Sequence, residues 1–425
     1  MALAAGPAGA AIAAGDTIVV KAGTLIDGTG ATPMHDAYIV VEDGRITAVG
    51  ERVRLPRPHT LIDLSDETVL PGFLDAHVHL TGRHIGEGNN WEDAAVRDLP
   101  QENAIRGVRN AWLTLTAGFT TVRNVGAHDF SDIALRNMIH DGVVPGPRIL
   151  AAGHSLGITG GHCDTNGYNP GILDRGPLGG IADGADEITK AIRLQVKNGA
   201  DVIKFCATGG VLSEGDAVGV QQYSESEMEI LVKEAHLAGR RVAAHAHGNA
   251  GIKAAVRAGV DSIEHGSELD DAAIELFKKH HTFLVPTLMA QEAVEKQARE
   301  HLLVGLRAEK ALYIAPRARA SFRRAVEAGL PIALGSDAGV FPHGTQGHEF
   351  ELMAANGMTP MQAIVAGTHN AATLLGLDQE VGTVEAGKVA DLVGVPGNPL
   401  EDMSVVTHPV FVMHEGRVVV GGEEN

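Results

Sequence analysis

The chain has 425 residues, 44% of them hydrophobic, with 53 Gly and 18 Pro, a soluble globular composition with room for an α/β barrel of roughly 250 to 300 residues beside a smaller unit. Its 53 acidic and 34 basic residues give a formal charge of −19, which argues against nucleic acid or an anionic membrane surface as partner. Two cysteines, Cys163 and Cys206, are too few for a disulfide framework, and the sequence holds no strongly apolar run of about 18 residues that would span a membrane.

Met1 to Gly15 is Ala/Gly-rich and lacks the basic start and long Leu-rich stretch of a complete signal peptide. A cytoplasmic location and export with the leader removed both stay open. From Asp16 to about Leu70 the pattern is strand-only, with Asp27-Gly28 and Asp43-Gly44 placed as hairpin turns. Residues 381 to 422 have the same character. An unpaired β flank would expose its edges, so residues 1–70 and 379–425 are expected to form one small β-sandwich from both termini.

Between them, over 71–378, strands alternate with helices. The eight candidate strands are Phe73–Leu80, Thr120–Gly126, Arg148–Gly153, Asp201–Ala207, Arg241–Gly248, Ser262–Ser267, Thr282–Leu288 and Pro331–Asp337. Segments with helical spacing follow most of them, as in SESEMEILVKEAHLAG, where Ser224 and Glu227 read as a capping box and Gly239 as the stop. Eight alternations predict a TIM-like (β/α)8 barrel. The charged stretch QEAVEKQAREHLLVGLRAEK reads as a solvated helix face or as a lid over the site.

Six potential metal ligands fall at or near the ends of these strands: His77, His79, Lys204, His245, His265 and Asp337. His77 and His79 are two apart, so both project from one face of the first strand. His245, His265 and Asp337 each come at a strand's C-terminal end, the rim where barrel enzymes keep their active sites. Lys204 lies inside an apolar strand, where a charged ammonium is costly. It either pairs with an acid across the barrel or reacts with CO2 to give a carbamate that bridges two cations. Cys206, in the same apolar run, is expected to be a buried free thiol.

PGFLDAHVHL, the lysine on the fourth strand, the histidines on the fifth and sixth and SDAG on the eighth together resemble the amidohydrolase superfamily. LIDGTG near the start and GTVEAGKVADLVGV near the end match that family's two-part β-sandwich, so the resemblance covers nearly the whole chain. Within the superfamily, GHSLGITGGHCD, IKFCATGGVLS, QQYS and AAHAHG are similar to the Xaa-Pro dipeptidase or carboxypeptidase-like group, and to bacterial members that hydrolyse ochratoxin A.

The resemblance implies that His77, His79 and Asp337 hold one metal, His245 and His265 a second, and carboxylated Lys204 bridges them, with His247 left out of the set. The two divalent ions are expected to be Zn2+, and Asp337 to act as base and then acid. His162, after two glycines beyond the third strand, is expected as a catalytic and substrate-binding residue, and Tyr223 as a donor to an anionic substrate group; a surface His and a packing Tyr are the alternatives. His154, Arg123, His128 and His343 are candidates for local positive charge at the rim.

The activity implied is hydrolysis of N-acyl amino acids with a free α-carboxylate, including ochratoxin A to ochratoxin alpha and phenylalanine. A prolidase or broad carboxypeptidase-like dipeptidase is the alternative within enzymes, and a non-catalytic assembly protein of the same fold is the alternative outside them. Relatives suggest a homo-oligomer.

Overall fold

The structure, a computed structural model, describes residues 17–84 and 91–421. The Ala/Gly-rich start lies outside the described residues. Four strands open the chain: β1 (Ile18–Leu25), β2 (Met34–Glu42), β3 (Arg45–Gly50) and β4 (Thr60–Pro71). Seven follow in alternation with helices: β5 (Phe73–Val78), β6 (Phe119–Asn124), β7 (Arg148–Ala151), β8 (Val202–Cys206), β9 (Arg241–Ala246), β10 (Ser262–His265) and β11 (Phe283–Val285). β12 (Leu392–Pro396), β13 (Phe411–His414) and β14 (Arg417–Val420) close it.

Both ends of the chain enter one seven-stranded sheet, ordered β14-β13-β12-β4-β1-β2-β3. β4 makes this possible. It runs parallel to β1 from Thr60 to Val69 and antiparallel to β12 from Glu67 to Pro71, so one long strand carries a terminal segment on each side. The strands of the expected sandwich are joined in one continuous hydrogen-bonded sheet among the described residues. It has its own core, in which Val20, Ile39 and Val41 meet Leu392 and Phe411. At the β2–β3 turn, Asp43 and Gly44 both take positive φ, 50° and 76°, as a type I′ hairpin turn requires. Asp27-Gly28 instead sits within the longer link between β1 and β2.

The central strands form two parallel sheets, β5-β6-β7 and β11-β10-β9-β8. Single pairings join them. Leu156 pairs with Phe205 of β8, while the 331–338 segment pairs through Ile332 with Leu284 of β11 and through Ala338 with Val78 at the end of β5. The ladder does not close into a barrel, because Pro331–Asp337 forms no regular strand, against expectation. Its backbone passes so near β5 that a Cβ on Gly335 would stand 2.9 Å from the His77 Cβ and would overlap Val285 Cγ1. Asp337 then turns into the left-handed region at φ 63°. Close approach and a bend, both unfavourable to a regular strand, deliver Asp337 to His77.

Ser224 accepts from Glu227 N and heads the helix Glu225–Leu237 as a capping box. Arg148 on β7 ties the two units together, donating to Asp391 at 2.9 Å and to Glu415 at 2.8 Å.

Candidate metal centre and substrate cavity

The C-terminal ends of the central strands surround a cavity of about 890 Å³, within the range of small-molecule sites. His77, His79, Lys204, His245, His265, Asp337 and His162 all line it. Residues dispersed over the sequence therefore converge on one floor.

Two groups of potential ligands stand out. In the first, His77 Nε2 and His79 Nε2 lie 3.5 and 3.4 Å from Asp337 Oδ1. In the second, one nitrogen from each of His245, His247 and His265 lies within 4.8 Å of the others. The groups adjoin: the His77 and His265 rings are 5.2 Å apart and those of His245 and His265 4.6 Å. His247, which the family pattern leaves out, stacks on His265 at 4.8 Å. Its period-two relation to His245 was the available signal.

The far ring nitrogens have fixed partners. His79 Nδ1 donates to Gly126 O at 3.0 Å, and His77 Nδ1 meets Glu264 Oε2 at 2.7 Å. His265 Nδ1 lies 2.7 Å from Thr287 Oγ1 and His247 Nδ1 2.8 Å from Ser267 Oγ. Such partners hold a ring in one tautomer and orientation with Nε2 free as a donor atom. His245 Nε2 is buried without a hydrogen-bond partner, which fits a cation-binding atom. Burial holds all these imidazoles neutral: His79 is pushed down to about 4, and His77, His245 and His265 well below their ordinary value. Neutral imidazole is the ligating form. The donor set of imidazoles and carboxylate fits divalent metal.

Lys204 is buried among these groups. Burial pulls its ammonium down to about 8, while Glu264 and Asp337 pull the other way. Burial also pushes the Asp337 carboxyl up to about 7, against the nearby Lys204. His265, like Asp337, takes a left-handed backbone, φ 71°. Backbone strain of this kind clusters at functional sites.

His162 stands on the loop after β7 with its ring 4.3 Å from that of His245. Tyr223 is not brought to the site. It is fully buried against Phe205, its hydroxyl donating to Ala182 O at 3.0 Å. The residue before a capping box here turns inward to pack, so the packing alternative holds. Arg123 is also removed from the rim: it lies in the core, 2.8 Å from Glu264, with Nε on Ala76 O. His343 stands behind His79, 3.2 Å from its carbonyl. His128 and His154 do line the cavity.

Two further features escape sequence reasoning. Arg175, in a loop with no periodicity, lines the cavity and donates through Nη1 to His128 Nδ1 at 3.1 Å. Cys163 and Cys206 form a disulfide, Cα atoms 5.9 Å apart, which corrects the expectation of a free thiol and ties the His162 loop to the end of β8. The charged stretch supplies Gln291, Val294 and Leu303 to the cavity wall, so it covers part of the site. No helix among the described residues is long and apolar enough to cross a membrane.

Comparison with known proteins agrees. The amidohydrolase family model matches residues 68–420. Ochratoxinase of Aspergillus niger is 33% identical over 417 residues, 93% of this chain and 84% of the relative. A solved Xaa-Pro dipeptidase with methionine bound in its active site superposes with a TM-score of 0.91 at 38% identity, covering 96% of this chain and all of that one. The solved A. niger ochratoxinase gives 0.84 at 31% identity, with 96% of each chain covered.

Proposed function

The chain belongs to the amidohydrolase family and is a hydrolase of amide bonds, and from that premise we propose that it cleaves N-acyl amino acids bearing a free α-carboxylate. Ochratoxin A, yielding ochratoxin alpha and phenylalanine, is the substrate favoured by the similarity to ochratoxinase. The observation that carries the reading is the meeting of the His77–His79–Asp337 and His245–His247–His265 groups, with Lys204 among them, on the floor of one cavity.

In this reading the 71–378 region is a barrel-type α/β unit in which the 331–338 segment takes the place of an eighth strand, flanked by 1–70 and 379–425. His77, His79 and Asp337 would hold one divalent ion and His245 and His265 a second, both Zn2+ in this reading, with carboxylated Lys204 as a further ligand. When bound, the two ions would polarise the scissile carbonyl and acidify a water. Asp337 is placed to take a proton from the attacking water and deliver it to the leaving nitrogen, which an amide needs because an unprotonated amine leaves poorly. Arg175 supplies the positive charge that an acidic chain needs to hold a carboxylate. Val211, Leu212, Val294 and Leu303, which also line the cavity, receive the bulky acyl group. His162 faces the reacting amide. The working form is a homo-oligomer.

A prolidase-type dipeptidase is the second reading, favoured by the 38% identity to the Xaa-Pro dipeptidase. Comparing kcat/KM of the zinc-loaded protein for ochratoxin A, N-acyl-phenylalanine and Xaa-Pro separates the two. A preference for Xaa-Pro of tenfold or more supports the second, and no turnover of any of them overturns both.

A further inference from the structure

His162 is held at three points by one acidic side chain. Its Nδ1 lies 2.7 Å from Ser213 Oγ, and Ser213 Oγ donates to Asp216 Oδ1 at 2.6 Å. Its backbone N–H donates to Gln222 Oε1 at 3.0 Å, while Gln222 Nε2 donates to Asp216 Oδ2 at 3.2 Å. The third hold is steric. Gly210, whose N–H donates to Asp216 Oδ2 at 3.1 Å, lies so close beneath the imidazole that a Cβ there would overlap the His162 ring.

Lys310 completes the hub. It comes from the helix Gly305–Glu327, is buried, and donates to Asp216 Oδ1 at 2.8 Å and to Ser213 O at 2.9 Å. The Asp216 side chain is 8% exposed. A buried carboxylate with an ammonium counter-ion stays ionised and can only accept. The Ser213 hydrogen is therefore committed to Asp216, and Ser213 Oγ in turn accepts from His162 Nδ1–H. One proton position dictates the next, so in the neutral ring the proton sits on Nδ1 and Nε2 is the acceptor nitrogen.

We infer that Asp216, acting through Ser213 and Gln222 and neutralised by Lys310, is a positioning residue that fixes His162 as a hydrogen-bond acceptor for the N–H of the scissile amide. The inference rests on the amide-hydrolase reading above and adds a substrate distinction to it. A secondary amide, such as an N-acyl-phenylalanine, offers that N–H. The tertiary amide of an Xaa-Pro bond does not. A neutral acceptor also cannot donate to a substrate carbonyl or carboxylate, so the hub assigns His162 a different partner from the one its loop position alone suggests.

The test joins a tautomer measurement to a double-mutant cycle. In 15N spectra of the zinc-loaded protein, assigned by His162→Gln, the His162 signals should show Nδ1 protonated and Nε2 bare; Ser213→Thr should keep this state and Ser213→Ala should mix the tautomers. Ser213→Ala leaves the Asp216–Lys310 pair in place, so it remains informative if Asp216→Asn fails to fold. With N-acyl-phenylalanine, Asp216→Asn should lower kcat/KM about 10–100-fold at unchanged metal content, the range for losing a partner that orients a working side chain. In the His162→Gln background the same substitution should cost less than about twofold. Against Xaa-Pro both single variants should lose at least several-fold less. A bare Nδ1 in the wild type, or an Asp216→Asn penalty that persists without His162, overturns the proposal. Failure of the wild type to cleave any of these amides would instead overturn the amide reading, and the spectra would still decide the tautomer.

Discussion

His77 Nδ1 and Glu264 Oε2 lie 2.7 Å apart with both side chains buried, and the other oxygen of the same carboxylate takes Arg123 Nη2 at 2.8 Å. One glutamate thus fixes the ring of a candidate metal ligand and neutralises a guanidinium in the core. Glu264→Gln should weaken metal binding at the His77 group about 10–100-fold. Leaving Arg123 buried without its counter-ion should also cost about 3–5 kcal/mol of stability. Metal titration and denaturant unfolding read the two effects separately. Unchanged affinity would remove Glu264 from the metal centre.

Tyr223 donates to Ala182 O from the core. Tyr223→Phe deletes that one bond and should lower stability by about 1 kcal/mol while kcat and KM stay within twofold. A large rise in KM for a carboxylate-bearing substrate would return Tyr223 to the binding site.

Arg175 makes the opposite prediction. Arg175→Ala should raise KM for an N-acyl amino acid about 10–100-fold, the worth of a hydrogen bond to a charged group, with a far smaller effect on the matching neutral amide. Equal losses on the two substrates would show that the charge of Arg175 is not what the substrate meets.

The junction of the two units should weaken in acid. Burial raises the Asp391 carboxyl, but His414 and Arg148 outweigh it and hold the group down at about 2. Above about pH 5 the carboxylate is ionised in folded and unfolded chains alike, and its contribution of about 2 kcal/mol is complete. As pH falls from about 4 to 2 the unfolded chain takes up the proton first, and the contribution is lost. Asp391→Asn should therefore lower Tm at pH 7 and flatten its fall between pH 4 and 2. An equal slope in both proteins would contradict the linkage.

The ends of the strands were legible in the sequence because an apolar run that stops at a His, beside turn residues, marks the point where a strand leaves the core for a polar rim. His77, His245 and His265 follow that rule, and each lines the cavity. The 331–337 segment did not, since its path depends on Gly335 approaching His77 rather than on any local alternation. Arg123 reads as a rim cation from its position, yet its fate was decided by Glu264, 141 residues away. The Cys163–Cys206 pairing and the place of Arg175 share that origin. Both depend on how the long loop after β7 folds back, and loops carry no periodic signal.

The central claim is a two-metal site built on Lys204 that cleaves a carboxylate-bearing amide. Phenylalanine release from ochratoxin A should be followed for the zinc-loaded protein and for Lys204→Ala, with metal content determined on both. The account predicts two ions per chain and turnover in the wild type, with loss of bound metal and of turnover together in the variant. Full metal content and undiminished turnover in Lys204→Ala would contradict it.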